Sequence, residues 1–310
     1  MTRHPEYQYL ELMKNILENG DARIERTGVG TRSIFGAMMR FDVSDGSVPI
    51  LTTKRVYWKT AVKEMLWFLT GQTNIQHLLQ QNVKIWTDWP LDKYRKTTGE
   101  DISQDDFEAR ILADDAFALK WADLGRVYGG QWRNWKGSDG KSYDQISTLI
   151  NTLKTNPASR RMLFHAWNVS ELDSMALPPC HLLYQFYTTN KKSVDSTCDE
   201  EKQRLNVMMT CRSQDLFLGT PFNLTGVSAL LLMISQQVNM LPGEIIWSGG
   251  DVHLYANHED MAREQLTREP RPFPKMKLLR KPDSIDGYHI EDFEVTGYDP
   301  HPAIAAPVAV

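Results

Sequence analysis

The chain has 310 residues, enough for one large domain or two small ones. Hydrophobic residues make up 41% and charged residues 24%, a composition that excludes a disordered chain, and no apolar run nears the roughly 18 residues a membrane helix needs. A net charge of −4 disfavours a broad nucleic-acid surface and leaves room for a local basic pocket that holds one small anion.

The first residues carry no apolar signal core, which predicts a cytoplasmic protein. The three cysteines, Cys180, Cys198 and Cys211, are odd in number and lack metal-ligand spacing. They fit a reducing compartment and neither a disulfide framework nor a zinc site. Residues 6–19 place apolar groups at helical spacing, with Gly20 as the stop. The run Arg26-Thr-Gly-Val-Gly-Thr31 reads as a hairpin-like turn or, because an arginine stands beside two glycines, as a cradle for an oxyanion.

Residues 33–41 read as a strand and 50–55 as a short extended segment. Residues 58–69 form a mostly buried helix that carries Glu64. A carboxylate there faces solvent beside Lys63, the plainer reading, or a polar cavity where burial would tune it for proton transfer. A second short helix over 75–81 leads to Ile85-Trp86-Thr-Asp-Trp89. The two tryptophans suit a core or the wall of a site for a flat ligand. Residues 92–101 look polar and turn-like, and 104–122 look helical with many charges. The stretch 91–122 is therefore expected as a peripheral insertion.

Glycines next to aromatics in 124–132 permit a close backbone approach. An amphipathic helix over 143–155 then delivers the chain to Arg160-Arg161. A strand-like piece over 162–167 precedes Pro178-Pro179-Cys180. The prolines make a stiff non-helical bend, so the thiol suits a nucleophile as well as it suits a small core residue. Residues 181–187 and 205–211 read as paired strands, joined by an exposed polar connection that carries Cys198. The cluster Arg212-Ser213-Gln214-Asp215 precedes a long apolar helix over 225–240. A last strand over 244–255 sets His253 and Tyr255 on one face. The histidines here, His258 included, lack a third metal ligand nearby. Strands and helices mix without βαβ alternation, which predicts one α+β domain over 1–310.

These clusters, in this order and over nearly the whole chain, resemble the thymidylate synthase family. The match runs from Arg26-Thr-Gly-Val-Gly-Thr31 through Leu66-Trp-Phe-Leu69, Ile85-Trp86-x-x-Trp89, Val127-Tyr-Gly-x-Gln-Trp132, Ser159-Arg-Arg161 and Ala176-Leu-Pro-Pro-Cys-His181. It continues through Arg212-Ser-x-Asp-x-Phe-Leu-Gly-x-Pro-Phe-Asn223 and Gly250-Asp-x-His-Leu-Tyr255 to the terminal Pro307-Val-Ala-Val310. The resemblance implies deoxyuridine monophosphate (dUMP) as substrate, 5,10-methylenetetrahydrofolate as one-carbon and hydride donor, no metal, and a homodimer built on a mixed sheet with helices on its other face. It implies that Cys180 adds to uracil C6 and that Arg212 favours its thiolate. Glu64, Tyr128 and Asn223 would handle proton transfer and folate elimination. The phosphate would fall to Arg26, Arg212 and Ser213, and to Arg160 and Arg161 of the other subunit. His181, Asp215 and Asn223 would contact the substrate, and His253 and Tyr255 the ribose hydroxyl. Ile85, Trp86, Trp89, Asp215, Leu218, Gly219 and Phe222 would line the folate side, closed by Val310.

Three positions depart from the commonest family pattern. Cys211 stands where many members have Gln, Gln214 replaces a small residue, and His165 stands where Ser is usual. They bear on how wet the site is. A deoxyuridylate hydroxymethylase, in which water captures the methylene, is therefore the near alternative. A non-catalytic nucleotide- or RNA-binding homologue is the distant one.

Overall fold

The computed structural model describes residues 3–24, 28–190 and 202–308. Helix α1 (Tyr7–Asn19) buries Tyr9, Leu10, Met13, Ile16 and Leu17 along one stripe. It ends at Gly20, where a Cβ would stand 2.5 Å from the Ile16 carbonyl. Glu6 precedes the helix but does not cap it. Its carboxylate is fully buried and accepts from the backbone N–H and hydroxyl of both Thr52 and Thr53. Four donors make that burial tolerable. They also bend the expected extended segment 50–55 into an irregular turn.

Strands β1 (Asp21–Arg23) and β2 (Thr31–Asp42) pair antiparallel. Helix α2 (Trp58–Leu69) follows its apolar period and is stopped at Gly71, whose φ of 77° suits glycine. The short helix α3 (Gln76–Gln80) comes next. The polar stretch 92–101, expected as a turn, is instead largely helix α4 (Asp88–Thr98). Leu91 and Tyr94 give it a buried stripe, Lys96 pairs with Asp92 one turn away, and Gly99 ends it in the left-handed region. The run 104–122 splits into α5 (Gln104–Ala113) and α6 (Asp115–Trp121), because the Asp114 carboxylate accepts from the Phe117 N–H and starts a new helix. Few apolar residues lie here, but they are large. Tyr94, Phe107, Phe117 and Trp121 close on one another with ring centroids 4.9 to 5.7 Å apart.

Helix α7 (Tyr128–Asn134) crosses α2 closely. A Cβ at Gly129 would meet the Phe68 carbonyl at 2.7 Å, the close approach its glycines foretell. A small hairpin of β3 (Trp135–Lys136) and β4 (Ser142–Tyr143) leads to α8 (Gln145–Thr155), capped by Asp144. Then follow β5 (Leu163–His165), β6 (His181–Thr189), β7 (Arg204–Asp215), α9 (Gly219–Gln237), β8 (Leu241–Tyr255), α10 (Glu259–Leu266), β9 (Lys275–Leu278) and β10 (Phe293–Thr296). Cys198 and most of the connection between β6 and β7 lie outside the described residues.

The main sheet has the order β1-β2-β8-β7-β6-β5. Only β7 and β8 run parallel, joined through α9, so the mixed α+β fold holds one βαβ unit that the irregular sequence pattern conceals. Its inner rows are fully apolar and buried. Tyr184, Met209, Trp247 and Met39 are register neighbours, as are Phe186, Val207, Ile245 and Phe41. Helices α1 and α9 pack against the sheet, and α2 packs on α9. The opposite rows, Leu183-Thr210-Ser248-Met38 and Gln185-Met208-Ile246-Arg40, have no helix over them among the described residues.

Candidate active site

The C-terminal ends of β7 and β8 and the start of α9 open into a cavity of about 800 Å³. Cys180 lies at its base, just before β6. Its backbone N–H donates to the Tyr128 hydroxyl at 2.8 Å, and its carbonyl accepts from the Arg212 N–H at 2.8 Å. Arg212 also donates through Nε to the Pro179 carbonyl and through Nη2 to that of Pro178, both at 2.8 Å. The bend that carries the thiol is thus clamped by the arginine beside it. Burial pushes the Cys180 thiol above its usual value, and the Arg212 guanidinium and the Tyr128 hydroxyl pull it back down. The influence expected of Arg212 is present, and in the free protein desolvation outweighs it.

Tyr128 stacks flat on His181, with centroids 4.0 Å apart and planes 5° apart. Burial drives His181 down to about 3, so the ring is neutral, and its Nδ1 shares a 2.9 Å hydrogen bond with the Tyr184 hydroxyl. Glu64 faces this cavity and not solvent, contrary to the plainer expectation. Desolvation raises its carboxyl to about 7 despite the 2.7 Å hydrogen bond from Trp86 Nε1. The sign of the consequence is fixed. The folded state holds a proton that the unfolded chain releases above its ordinary 4.5, so ionisation of Glu64 erodes stability as pH rises from 4.5 to about 7. Glu64→Gln, which still accepts from Trp86, should match the native protein in urea unfolding at pH 4.5 and exceed it by about 3 kcal/mol at pH 8. An equal difference at both values would place the carboxyl elsewhere.

Trp86 and Trp89 form one wall, with centroids 5.1 Å apart, and Ile85, Leu218, Gly219 and Phe222 line the same cavity. Asp215 reaches the cavity while its Oδ1 accepts from the N–H groups of Phe217 and Leu218, closing the turn into α9. Ser213, Asn223, His253 and Tyr255 line the same space. Arg160 and Arg161 do not. Both are exposed and lie off the cavity. Arg26 and Val310 lie outside the described residues.

Several cavity residues escaped the sequence analysis. Asp251 holds His253 Nδ1 at 3.2 Å and lies 3.7 Å from Arg23. Strand alternation from His253 and Tyr255 back to Asp251 was the signal available. Leu177, Ala306 and Val308 complete the rim. The tail is tied down by Pro307, whose carbonyl meets His258 Nε2 at 2.7 Å, and by the His301 N–H on the Thr52 carbonyl. Of the three departures, only Gln214 lines the cavity. Cys211 is buried on the inner face of the sheet, and His165 packs against Trp135. Among the described residues no group of His, Cys, Asp and Glu is arranged to hold a metal.

A clamped thiol, a carboxyl poised near neutrality and a tryptophan wall, on one mixed α+β sheet, have the chemistry that covalent attack on a flat ring needs. The thymidylate synthase family model matches residues 7–310. A thymidylate synthase of Rhizobium rhizogenes is 66% identical over 310 residues, covering 100% of both chains. That of Rhodopseudomonas palustris is 65% identical over 308 residues, covering 99% of this chain and 100% of its own. That of Zymomonas mobilis is 58% identical over 305 residues, covering 98% and 99%. The chain belongs to the thymidylate synthase family.

Proposed function

We propose that this chain methylates dUMP reductively to dTMP, with 5,10-methylenetetrahydrofolate as the co-substrate. The observation that carries this reading is the single cavity in which Cys180, Glu64 and the Trp86–Trp89 wall meet. Uracil C5 is a poor nucleophile until a thiolate adds to C6 and makes C5 enolate-like, and Cys180 is the thiol at hand. Arg212 stabilises the thiolate. With two of its five donors on prolyl carbonyls, it keeps others for the substrate phosphate, together with Ser213 and Arg26. The Asn223 amide reads the uracil edge, and His253, oriented by Asp251, binds the ribose hydroxyl with Tyr255. Glu64, near 7, can give and take a proton at neutral pH, with Tyr128 and His181 beside it. The folate supplies the methylene and then a hydride, leaving as dihydrofolate. Ile85, Trp86, Trp89, Asp215, Leu218, Gly219 and Phe222 hold it against the base.

Water exclusion separates methylation from hydroxymethylation. Of the departures that left room for the wetter alternative, His165 and Cys211 are absent from the cavity lining and Gln214 is in it, while the aromatic wall is intact. The names of the relatives agree with methylation. Mixing the protein with dUMP and methylenetetrahydrofolate should raise dihydrofolate absorbance in step with dTMP. Tetrahydrofolate together with a hydroxymethyl nucleotide would reverse the choice.

The uncovered sheet face supports a homodimer. Met38 is 60% exposed and Tyr187 70%, beside partly exposed Met208 and Ile246, which is costly unless a second copy covers them. In that dimer Arg160 and Arg161 would reach the partner's phosphate site. Residues 1–310 act as one catalytic unit, with about 91–122 as a peripheral addition that lends no residue to the cavity lining. A nucleotide- and folate-dependent activity and unpaired cysteines suit the cytoplasm.

A further inference from the structure

Gln214 is 3% exposed, and its amide lines the cavity. Its Nε2 donates to Asn223 Oδ1 at 2.9 Å and to the Asp215 backbone carbonyl at 3.3 Å. Its Oε1 is buried with no partner. Gly219 leaves the space for this amide, since a Cβ there would stand 2.7 Å from Gln214 Nε2. A backbone carbonyl can only accept. It therefore holds the NH2 end of Gln214 towards itself and towards Asn223. Reversing Gln214 would set two carbonyl oxygens against each other. The orientation passes on to Asn223. With its Oδ1 engaged by Gln214, its NH2 has no protein acceptor among the described residues and is left for a ligand.

That end matters for the base. Uracil presents a carbonyl at C4, which needs a donor, and cytosine presents an amino group there, which needs an acceptor. We propose that Gln214 is a positioning residue that fixes which end of the Asn223 amide faces the ring, and so selects a 4-oxo over a 4-amino pyrimidine nucleotide. The inference rests on the dUMP reading of the cavity. It assigns a role to a side chain that touches Asn223 and not the reacting atoms.

Two variants test it against the native protein, each first checked for native circular dichroism and melting. In Gln214→Glu, assayed at alkaline pH so that the buried carboxyl is ionised, the side chain only accepts, so Asn223 turns its NH2 inward and offers its carbonyl to the base. In Gln214→Met the lock is removed without a charge. The readout is the ratio of the dUMP and dCMP dissociation constants by calorimetry, alongside kcat/KM for dUMP. The native protein should favour dUMP. Gln214→Glu should shift the ratio towards dCMP by about tenfold or more, and Gln214→Met by less, in the same direction. A merely structural residue would weaken both nucleotides by the same factor, and that result in folded variants would overturn the inference. An unchanged ratio would do the same. The Met variant carries the test if the Glu variant fails to fold. A native protein that binds no dUMP would instead sink the functional reading itself, an outcome seen before any variant is measured.

Discussion

A Cys180→Ala protein is expected to bind dUMP nearly as well as the native protein and to form no dTMP. The loss should be about 10⁴-fold or more, the scale on which removing a covalent nucleophile acts. The fold gives a reason to expect a clean result. Everything that fixes residue 180 is backbone: its N–H on the Tyr128 hydroxyl and its carbonyl under the Arg212 N–H. The thiol itself adds a 3.9 Å contact with the Pro178 carbonyl and an interaction with the Tyr128 hydroxyl, neither of which sets the path of the backbone. Alanine keeps the backbone bonds, and the bend stays clamped by Arg212 through Pro178 and Pro179. Melting should therefore move by no more than a few degrees, the size that one small buried group produces. Nucleotide binding by calorimetry and turnover by dihydrofolate absorbance then separate the two roles of the cavity. Native-like turnover in Cys180→Ala would remove the thiol from the chemistry, whatever the family.

What the sequence made legible, and what it hid, divides along physical lines. Elements that bury one face announced themselves. Helix α1, helix α2 and strands β6 to β8 carry their period in their own residues. Helix α4 did not, because only Pro90, Leu91 and Tyr94 mark its buried stripe among charges, and a polar run looks the same in a turn. The direction of Glu64 was also hidden. Glu64 stands beside Lys63 at the edge of the apolar stripe of α2, so the pattern of the helix leaves open whether the carboxylate meets solvent or a cavity. The Trp86 indole that bonds the carboxylate comes from 22 residues further on. Cys180 was ambiguous for a similar reason. Two prolines establish a rigid bend, but the clamp by Arg212 is a contact across two strands. The start of α9 at Gly219 was read too late, since Gly-Thr-Pro-Phe-Asn resembles a loop until the helix behind it is seen. Gln214 was noticed as a departure, yet its meaning needed the position of Asn223, nine residues away.

Assayed at dUMP well below the KM of the arginine variant, where that variant turns over little, mixing a Cys180→Ala protein with an Arg160→Ala/Arg161→Ala protein should restore activity. Arg160 and Arg161 are exposed and lie off the cavity of their own chain. Neither forms an ion pair among the described residues, so nothing in their own chain accounts for two adjacent cations. Arg160 instead borders a depression on the uncovered sheet face, with Gln185, Met208 and Ile246. If that face is the dimer seam, a two-fold axis carries each arginine pair to the partner's cavity. In a hybrid dimer, one cavity then lacks both the thiol and the arginines, while the other has both intact. Half the dimers in an equal, fully exchanged mixture are hybrids with one working cavity of two, so the mixture should recover about a quarter of native activity. The arginine variant alone should raise KM for dUMP at least tenfold, because it loses charge-assisted bonds to a dianion. Subunit exchange is verified by tagging one variant and recovering the other with it. Proven exchange without recovered turnover would confine each cavity to a single chain. It would leave the exposed arginines, and the bare face beside them, in need of another partner.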